Sequence, residues 1–178
     1  MRTAPGGGQI TLLAESADWD RAFTALNLRY EGDVRVSAVA RTLHTKVEGV
    51  PVRVRLRREQ PHWISVTVDL SEPLSGGFSL HPRDFPGSVP VQTDDLVLAD
   101  RIGVKGIPSP DLVARLCQDH LRGPLLQVLM SSPGSRLGPD AIEMFVEGDS
   151  RRAGTAIADV LALREAWATS PSPSEASA

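Results

Sequence analysis

Three arginines at alternate positions, Arg53, Arg55 and Arg57, carry the clearest chemical signal in the sequence. They alternate with apolar residues, so a β-strand would direct all three guanidinium groups to one face. By the same alternation, Lys46 in the preceding segment and Trp63 in the following segment would lie on that face. Arginine charge and a stacking aromatic ring are suited to phosphate groups or a single nucleic-acid strand. The sequence therefore predicts an anion-binding surface formed by these five side chains.

The same five side chains also fit an ordinary solvated sheet face. An arginine could pair across strands with Asp69, and Trp63 could pack beneath arginine stems. Alternating faces of this kind are common in antiparallel sheets. The sequence leaves both interpretations open.

A second group joins one histidine, one arginine and several carboxylates in a short region rich in proline. Such residues could build an acid–base site or a metal site. Their spacing is not diagnostic, and Asp and His in loops of this kind commonly make turn hydrogen bonds. The group consists of His81, Arg83, Asp84, Asp94, Asp95 and Asp100.

Cys117 and His120 form a third candidate, because they lie three positions apart in a predicted helix. A cysteine nucleophile also needs an orienting third group, and the apolar surroundings of Cys117 favour a buried structural thiol. The glycine run at residues 6–8 follows no strand and fails the context test for a nucleotide loop. We therefore predict no catalytic residue, no metal ligand and no cofactor.

The composition is that of a globular protein. The 178 residues carry a net charge of −3, which argues against a dedicated nucleic-acid binder. Arginine supplies all but two of the 19 basic residues, and this bias suggests a GC-rich bacterial genome. A single cysteine allows no internal disulfide. We find no signal peptide and no segment of transmembrane length, so the expected location is the cytoplasm.

Hydrophobic periodicity predicts an α+β fold. The segment from His44 to Leu70 reads as two antiparallel hairpins that share a middle strand, with Glu48-Gly49 as the first turn. An antiparallel sheet packed with helices is followed by a smaller α/β half. The predicted divisions are a flexible N-terminus (1–16), a helix plus antiparallel sheet (17–81), a loop (82–94), the α/β half (95–167) and a disordered tail (168–178).

The α/β half begins with a small apolar cluster at Leu96 to Leu98 and continues into apolar helical segments that Gly123-Pro124 is expected to interrupt. Asp149 or Ser150 is expected to cap the last helix. The apolar stripe of that helix has one polar member, Arg164, and consists of Ala153, Ile157, Val160, Leu161, Arg164 and Trp167.

The layout resembles that of uncharacterised cytoplasmic proteins of GC-rich bacteria. They share a Gly-x-Pro-Val-x-Val hairpin, here from Gly49 to Val54, and a later segment running from Asp100 through Gly106 to Leu125-Leu126. The resemblance covers roughly residues 17–167. It implies a shared fold and carries no activity over to any residue.

Three functions fit these features. The first is a non-enzymatic binding or interaction module, adaptor or chaperone-like, with a protein partner or self-association. The second is an anion-binding sheet for phospholipid headgroups or nucleic acid. The third is a hydrolase-like enzyme that uses His81 with Asp94, Asp95 or Asp100.

Overall fold

The computed structural model describes residues 21, 23–57, 60–74, 77–148 and 150–170. Residues 23–30 are helical and form α1. The strands are β1 (Gly32–Val36), β2 (Ala40–Val47), β3 (Val50–Arg57), β4 (Gln60–Asp69), β5 (Ser79–Pro82), β6 (Val89–Pro90), β7 (Ile102–Lys105), β8 (Arg136–Leu137) and β9 (Ala141–Glu147). The other helices are α2 (Leu96–Arg101), α3 (Pro110–Leu116), α4 (Asp119–Leu129) and α5 (Ser150–Thr169).

The strands join in one sheet in the order β1-β2-β3-β4-β9-β8-β5-β7-β6. The strand pairs that the structure describes are antiparallel. This confirms the predicted α+β class. The predicted halves 17–81 and 95–167 share this sheet, because β9 inserts between β4 and the later strands.

The central hairpins follow the predicted alternation. Val54 pairs with Val66 across β3 and β4, and both side chains are fully buried. Along β3, the residues that alternate with Val54 and the other buried positions are exposed. Glu48 and Gly49 form the predicted turn with φ of 52° and 81°, the left-handed values of a tight hairpin. One face of the sheet is therefore buried, and we call the opposite one the outer face.

Helix α5 covers the buried face and packs against β4, β9 and α4. Its apolar stripe lies at helical spacing, so one side of the helix can enter the core. The stripe is buried at Ala153, Ile157, Val160 and Trp167, as the sequence predicts. The one polar member, Arg164, donates from Nε to the carbonyl of Asp69 at 3.0 Å.

The break between α3 and α4 differs from the sequence prediction. Gly123-Pro124 was expected to interrupt the helices, yet α4 runs through Pro124 and the break lies at Cys117 and Gln118. Proline restrains the preceding residue by meeting its Cβ, and Gly123 has none. The helix therefore tolerates the proline at this point.

Three predicted boundaries also shift. The loop 82–94 contains the two-residue strand β6, and Leu96 to Leu98 begin a helix rather than an unassigned cluster. Helix α5 extends to Thr169, and Ser170 is buried, so the first residues of the predicted tail are ordered. The flexible N-terminus, the rest of the tail and the predicted cap Asp149 lie outside the described residues.

Candidate binding surfaces

The outer face of the sheet holds an open depression of about 570 Å³. Strands from both halves of the chain contribute to it because β9 joins them. Hydroxyl groups and charged groups dominate its lining. The lining residues are Thr42, His44, Arg53, Arg55, Ser65, Thr67, Ser79, Arg136, Gly138, Pro139, Asp140, Ala141 and Glu143.

A row of directly paired residues crosses this depression. His44 on β2 lies opposite Arg53, Arg53 lies opposite Thr67, and Thr67 lies opposite Glu143 on β9. Arg136 on β8 pairs with Glu143 at the far end. Neighbouring strands are about 4.8 Å apart, so these side chains form one continuous polar band.

Most of the charges in this band neutralise one another. Arg53 donates to Asp69 at 2.7 Å, and Arg136 lies 2.8 Å from Glu143. Arg55 lines the same depression and is exposed, and among the described residues it pairs with no carboxylate. Arg55 is therefore the guanidinium best placed to meet an anion.

The structure brings together two of the five residues predicted to bind an anion. Arg53 and Arg55 line the depression, whereas Arg57, Lys46 and Trp63 do not. Lys46 lines a different, shallow surface beside the β2–β3 turn, and Trp63 lies opposite Glu147 on β9. The Arg53–Asp69 pair matches the solvated-face interpretation for Arg53. For Arg55 the anion-binding interpretation stays a prediction.

His81 lies beside the depression in a buried cluster. Its Nε2 is joined to Ser79 Oγ by a 2.8 Å hydrogen bond, and its ring stacks on Phe85 with centroids 4.1 Å apart. Burial lowers the pKa of His81, and the positive charges of Lys105 and Arg136 lower it further. These surroundings favour the neutral imidazole, because the charged form would lose solvation and face two cations.

The Ser79–His81 pair does not extend to a catalytic triad. A triad needs a third group that orients the imidazole. His81 Nδ1 is buried and has no hydrogen-bond partner among the described residues. Ser79 and His81 therefore form a polar contact at the edge of the depression.

Two of the three carboxylates proposed to assist His81 have other roles. Asp95 caps α2 by accepting from the backbone N–H groups of Val97 and Leu98, and it pairs with Arg122 at 3.1 Å. The backbone hydrogen bond from Leu98 is the main cause that lowers the pKa of Asp95. Asp100 pairs with Arg83 at 3.1 Å. No hydrogen bond joins either carboxylate to His81 in the part of the chain that the structure describes.

Cys117 and His120 also have separate partners. Cys117 Sγ lies 2.9 Å from Thr93 Oγ1, and His120 Nε2 lies 2.9 Å from Ser170 Oγ. Cys117 packs against the core. The contact between Cys117 and Thr93 fits the structural interpretation of the thiol. Across the described residues, no cluster of three or more potential ligands could hold a metal ion.

A second opening, with a volume of about 750 Å³, lies on the helical side of the sheet. We call it the helical groove, because α2, α4 and α5 surround it above the end of β9. Its apolar lining residues are Val97, Leu126, Met130, Met144, Val146 and Ala156. Charged residues of both signs complete the lining: Arg101, Glu147, Arg152 and Asp159. Gln127 joins α4 to α5 through a 3.5 Å contact with Asp159.

The helical groove was missed at the sequence level. Its residues lie on α2, α4, β9 and α5, and their apolar side chains read from the sequence as ordinary core. The signal that could have found it is the exposed pair Leu96 and Val97, which follow the capping sequence at Asp95.

Comparison with known proteins gives a fold neighbour. No family model matches the chain, and no curated protein matches it. The fold is similar to the crystal structure of the mycobacterial trehalose monomycolate transport factor A, TtfA, with a TM-score of 0.55 and 9% sequence identity. The alignment covers 90% of this chain and 97% of the chain in that crystal structure. At this identity the likeness shows the fold alone.

No helix in the described part of the chain is both long enough and apolar enough to cross a bilayer.

Proposed function

We propose that this protein is a non-enzymatic binding module of the bacterial cytoplasm, with an adaptor or chaperone-like role. The helical groove would hold an apolar-faced segment of a protein partner. One observation carries this proposal: the groove has apolar walls that reach solvent and charges of both signs beside them. Grooves of this kind bind amphipathic helices in many complexes.

Exposure of the groove walls supports a binding role. Val97 is 48% exposed and Met130 is 39% exposed, and both line the groove. A partner that covered them would remove apolar surface from water, which favours association. Methionine adapts its shape readily, so Met130 and Met144 suit a partner surface that is not rigidly complementary.

The fold neighbour supports the same proposal. TtfA is a trehalose monomycolate transport factor. A fold shared with such a protein is consistent with a module that holds another molecule.

Two adjacent residues of α2 give a matched test of the groove. Val97 lines it, whereas Leu96 is 81% exposed and does not. A photo-crosslinking amino acid placed at Gln127 should give a defined protein adduct in cells of the source organism. Val97→Glu should reduce that adduct about tenfold or more, because a buried unpaired carboxylate opposes docking. Leu96→Glu should leave the adduct unchanged.

Two outcomes would contradict binding of a partner in the helical groove. If the Gln127 probe gives no adduct above that of an identical probe at Arg57, the groove holds no partner. If Leu96→Glu and Val97→Glu act alike, the effect belongs to charge on α2 and not to the groove. Thermal unfolding of both variants would check that each remains folded.

A second candidate function is recognition of an anionic ligand on the outer face. Arg55 favours it, because its guanidinium reaches a polar depression without a carboxylate partner among the described residues. Thr42 and Ser65 lie opposite Arg55 on the flanking strands and both line the depression. Guanidinium and hydroxyl donors together suit phosphate oxygens.

The contributions of Arg55 and Arg57 to anion binding can be tested separately. A labelled single-stranded oligonucleotide and anionic phospholipid vesicles are the probes, each titrated at low and moderate salt. Arg55→Ser should weaken binding about tenfold and lower the salt slope by about one. Arg57→Ser should change binding less, because Arg57 lies outside the depression. Wild-type protein that binds neither probe at low salt would rule this function out.

A further inference from the structure

The two edges of the sheet differ in how they are protected. One edge is β6, which has only two residues, and one of them is Pro90 with no backbone N–H. The other edge is β1, five residues from Gly32 to Val36, with no proline. Among the described residues, β1 pairs only with β2. Its outer backbone groups therefore present a template on which another strand can pair.

The side chains of β1 alternate between the two faces. Val34 lies opposite Leu43 and packs against the core. Asp33 and Arg35 lie on the outer face, opposite His44 and Thr42. Both charged side chains are solvated, with exposed fractions of 67% and 72%, and they form an ion pair at 3.2 Å.

We propose that β1 pairs with β1 of a second copy of this chain, antiparallel, about a two-fold axis at Val34. In that register Asp33 lies opposite Arg35 of the partner subunit, and Arg35 lies opposite Asp33 of the partner subunit. Opposite charges placed across antiparallel strands stabilise the pair. The strand is thus complementary to itself, which is the condition for a closed two-fold interface.

The apolar positions of β1 agree with this register. Val36 is 67% exposed in the single chain. It would lie opposite Gly32 of the partner subunit, which has no side chain to obstruct it. Val34 would meet Val34 of the partner subunit at the axis, on the same side as the core. The two outer faces would then join on one side of a continuous sheet, each with its own depression.

The competing interpretation is that Asp33 and Arg35 protect the edge. Charged residues on edge strands commonly prevent pairing with other chains. Here the sign changes across Val34, so a second copy neutralises both charges. The two interpretations predict different oligomeric states.

Charge reversal provides the test on the full-length chain. Asp33→Arg places two arginines on β1, and Arg35→Asp places two aspartates there. Sedimentation should show a wild-type dimer and a monomer for each single variant. An equimolar mixture of the two variants should restore a dimer that contains one copy of each. The double variant with both substitutions should dimerise like wild type, because its charges are again opposite across the axis.

Both residues are well exposed, so the variants should fold, and circular dichroism would verify it. A wild-type chain that is monomeric up to about 1 mM would overturn the proposal. Single variants that dimerise as well as wild type would also overturn it. A mixture of the two monomeric variants that fails to form the mixed dimer would refute the register about Val34. These outcomes are independent of the helical groove, which lies on α2, α4 and α5.

Discussion

Replacing Trp167 with Ala is expected to lower the free energy of unfolding by about 3–5 kcal/mol. Trp167 lies in the last turns of α5 and is 1% exposed. The guanidinium carbon of Arg115 lies 4.1 Å from its ring centroid, and Arg115 Nη2 donates to its backbone carbonyl. The substitution would leave a cavity and expose a buried guanidinium to it. Urea denaturation followed by circular dichroism measures the change.

Trp167→Phe is the matched control. The indole Nε1 is buried and has no hydrogen-bond partner among the described residues. Phenylalanine keeps an aromatic ring beside Arg115 and removes that unsatisfied N–H. We expect it to cost roughly half as much as the alanine substitution, or less. A loss below about 1 kcal/mol for Trp167→Ala would show that this end of α5 does not contribute to the cooperative core.

Gly32→Ala is expected to cost about 3 kcal/mol, because β1 packs directly onto β2 at this point. A Cβ at Gly32 would meet the carbonyl oxygen of His44, and it would lie 2.9 Å from Leu43 Cδ1 and 3.0 Å from Thr45 Cβ. A backbone oxygen cannot move aside as a flexible side chain can. The strand would have to shift, and the hydrogen bonds that Thr45 Oγ1 donates to the carbonyls of Tyr30 and Glu31 would weaken.

Gly49→Ala separates this steric cost from the conformational cost of losing a glycine. Gly49 has a φ of 81°, but a Cβ there would meet nothing within 4 Å. The variant should therefore lose only about 1 kcal/mol, the usual penalty of a left-handed conformation. Thermal unfolding of both variants gives the comparison. Equal losses would mean that the contact between β1 and β2 is looser than its geometry indicates.

The central hairpins could be predicted because their pattern is local. Val52, Val54 and Leu56 alternate with arginines, and only a strand with one buried face produces that pattern over this length. The turn at Glu48-Gly49 adds a second local signal. The helix start at Asp95 was not predicted, although an Asp before a short apolar run favours one.

Other features depend on pairings between distant parts of the chain. Arg136 enters the outer depression because β8 pairs with β9, and nothing near Arg136 in the sequence indicates this. The break at Cys117 was misplaced because the Gly-Pro signal at Gly123 outweighed weaker cues. The acid–base site predicted at His81 does not recruit Asp95 or Asp100, because Asp95 caps α2 and Asp100 pairs with Arg83.

The outer face of the sheet shows what residue types alone can predict and what they cannot. The sequence identified the arginines of β3 and the face that they share. It could not decide which of them would be neutralised, because the Arg53–Asp69 pair depends on the register of β3 and β4. Arg55 lies two residues after Arg53 on β3, and among the described residues it pairs with no carboxylate.

The place of β9 in the sheet has a consequence for synthesis on the ribosome. Val66 on β4 lies opposite Met144 on β9, so this side of β4 lacks its neighbouring strand until β9 has been translated. Contacts between such distant positions slow folding and leave an intermediate with an unpaired hydrophobic strand. We therefore expect a nascent chain stalled before β9 to aggregate more readily than the complete chain.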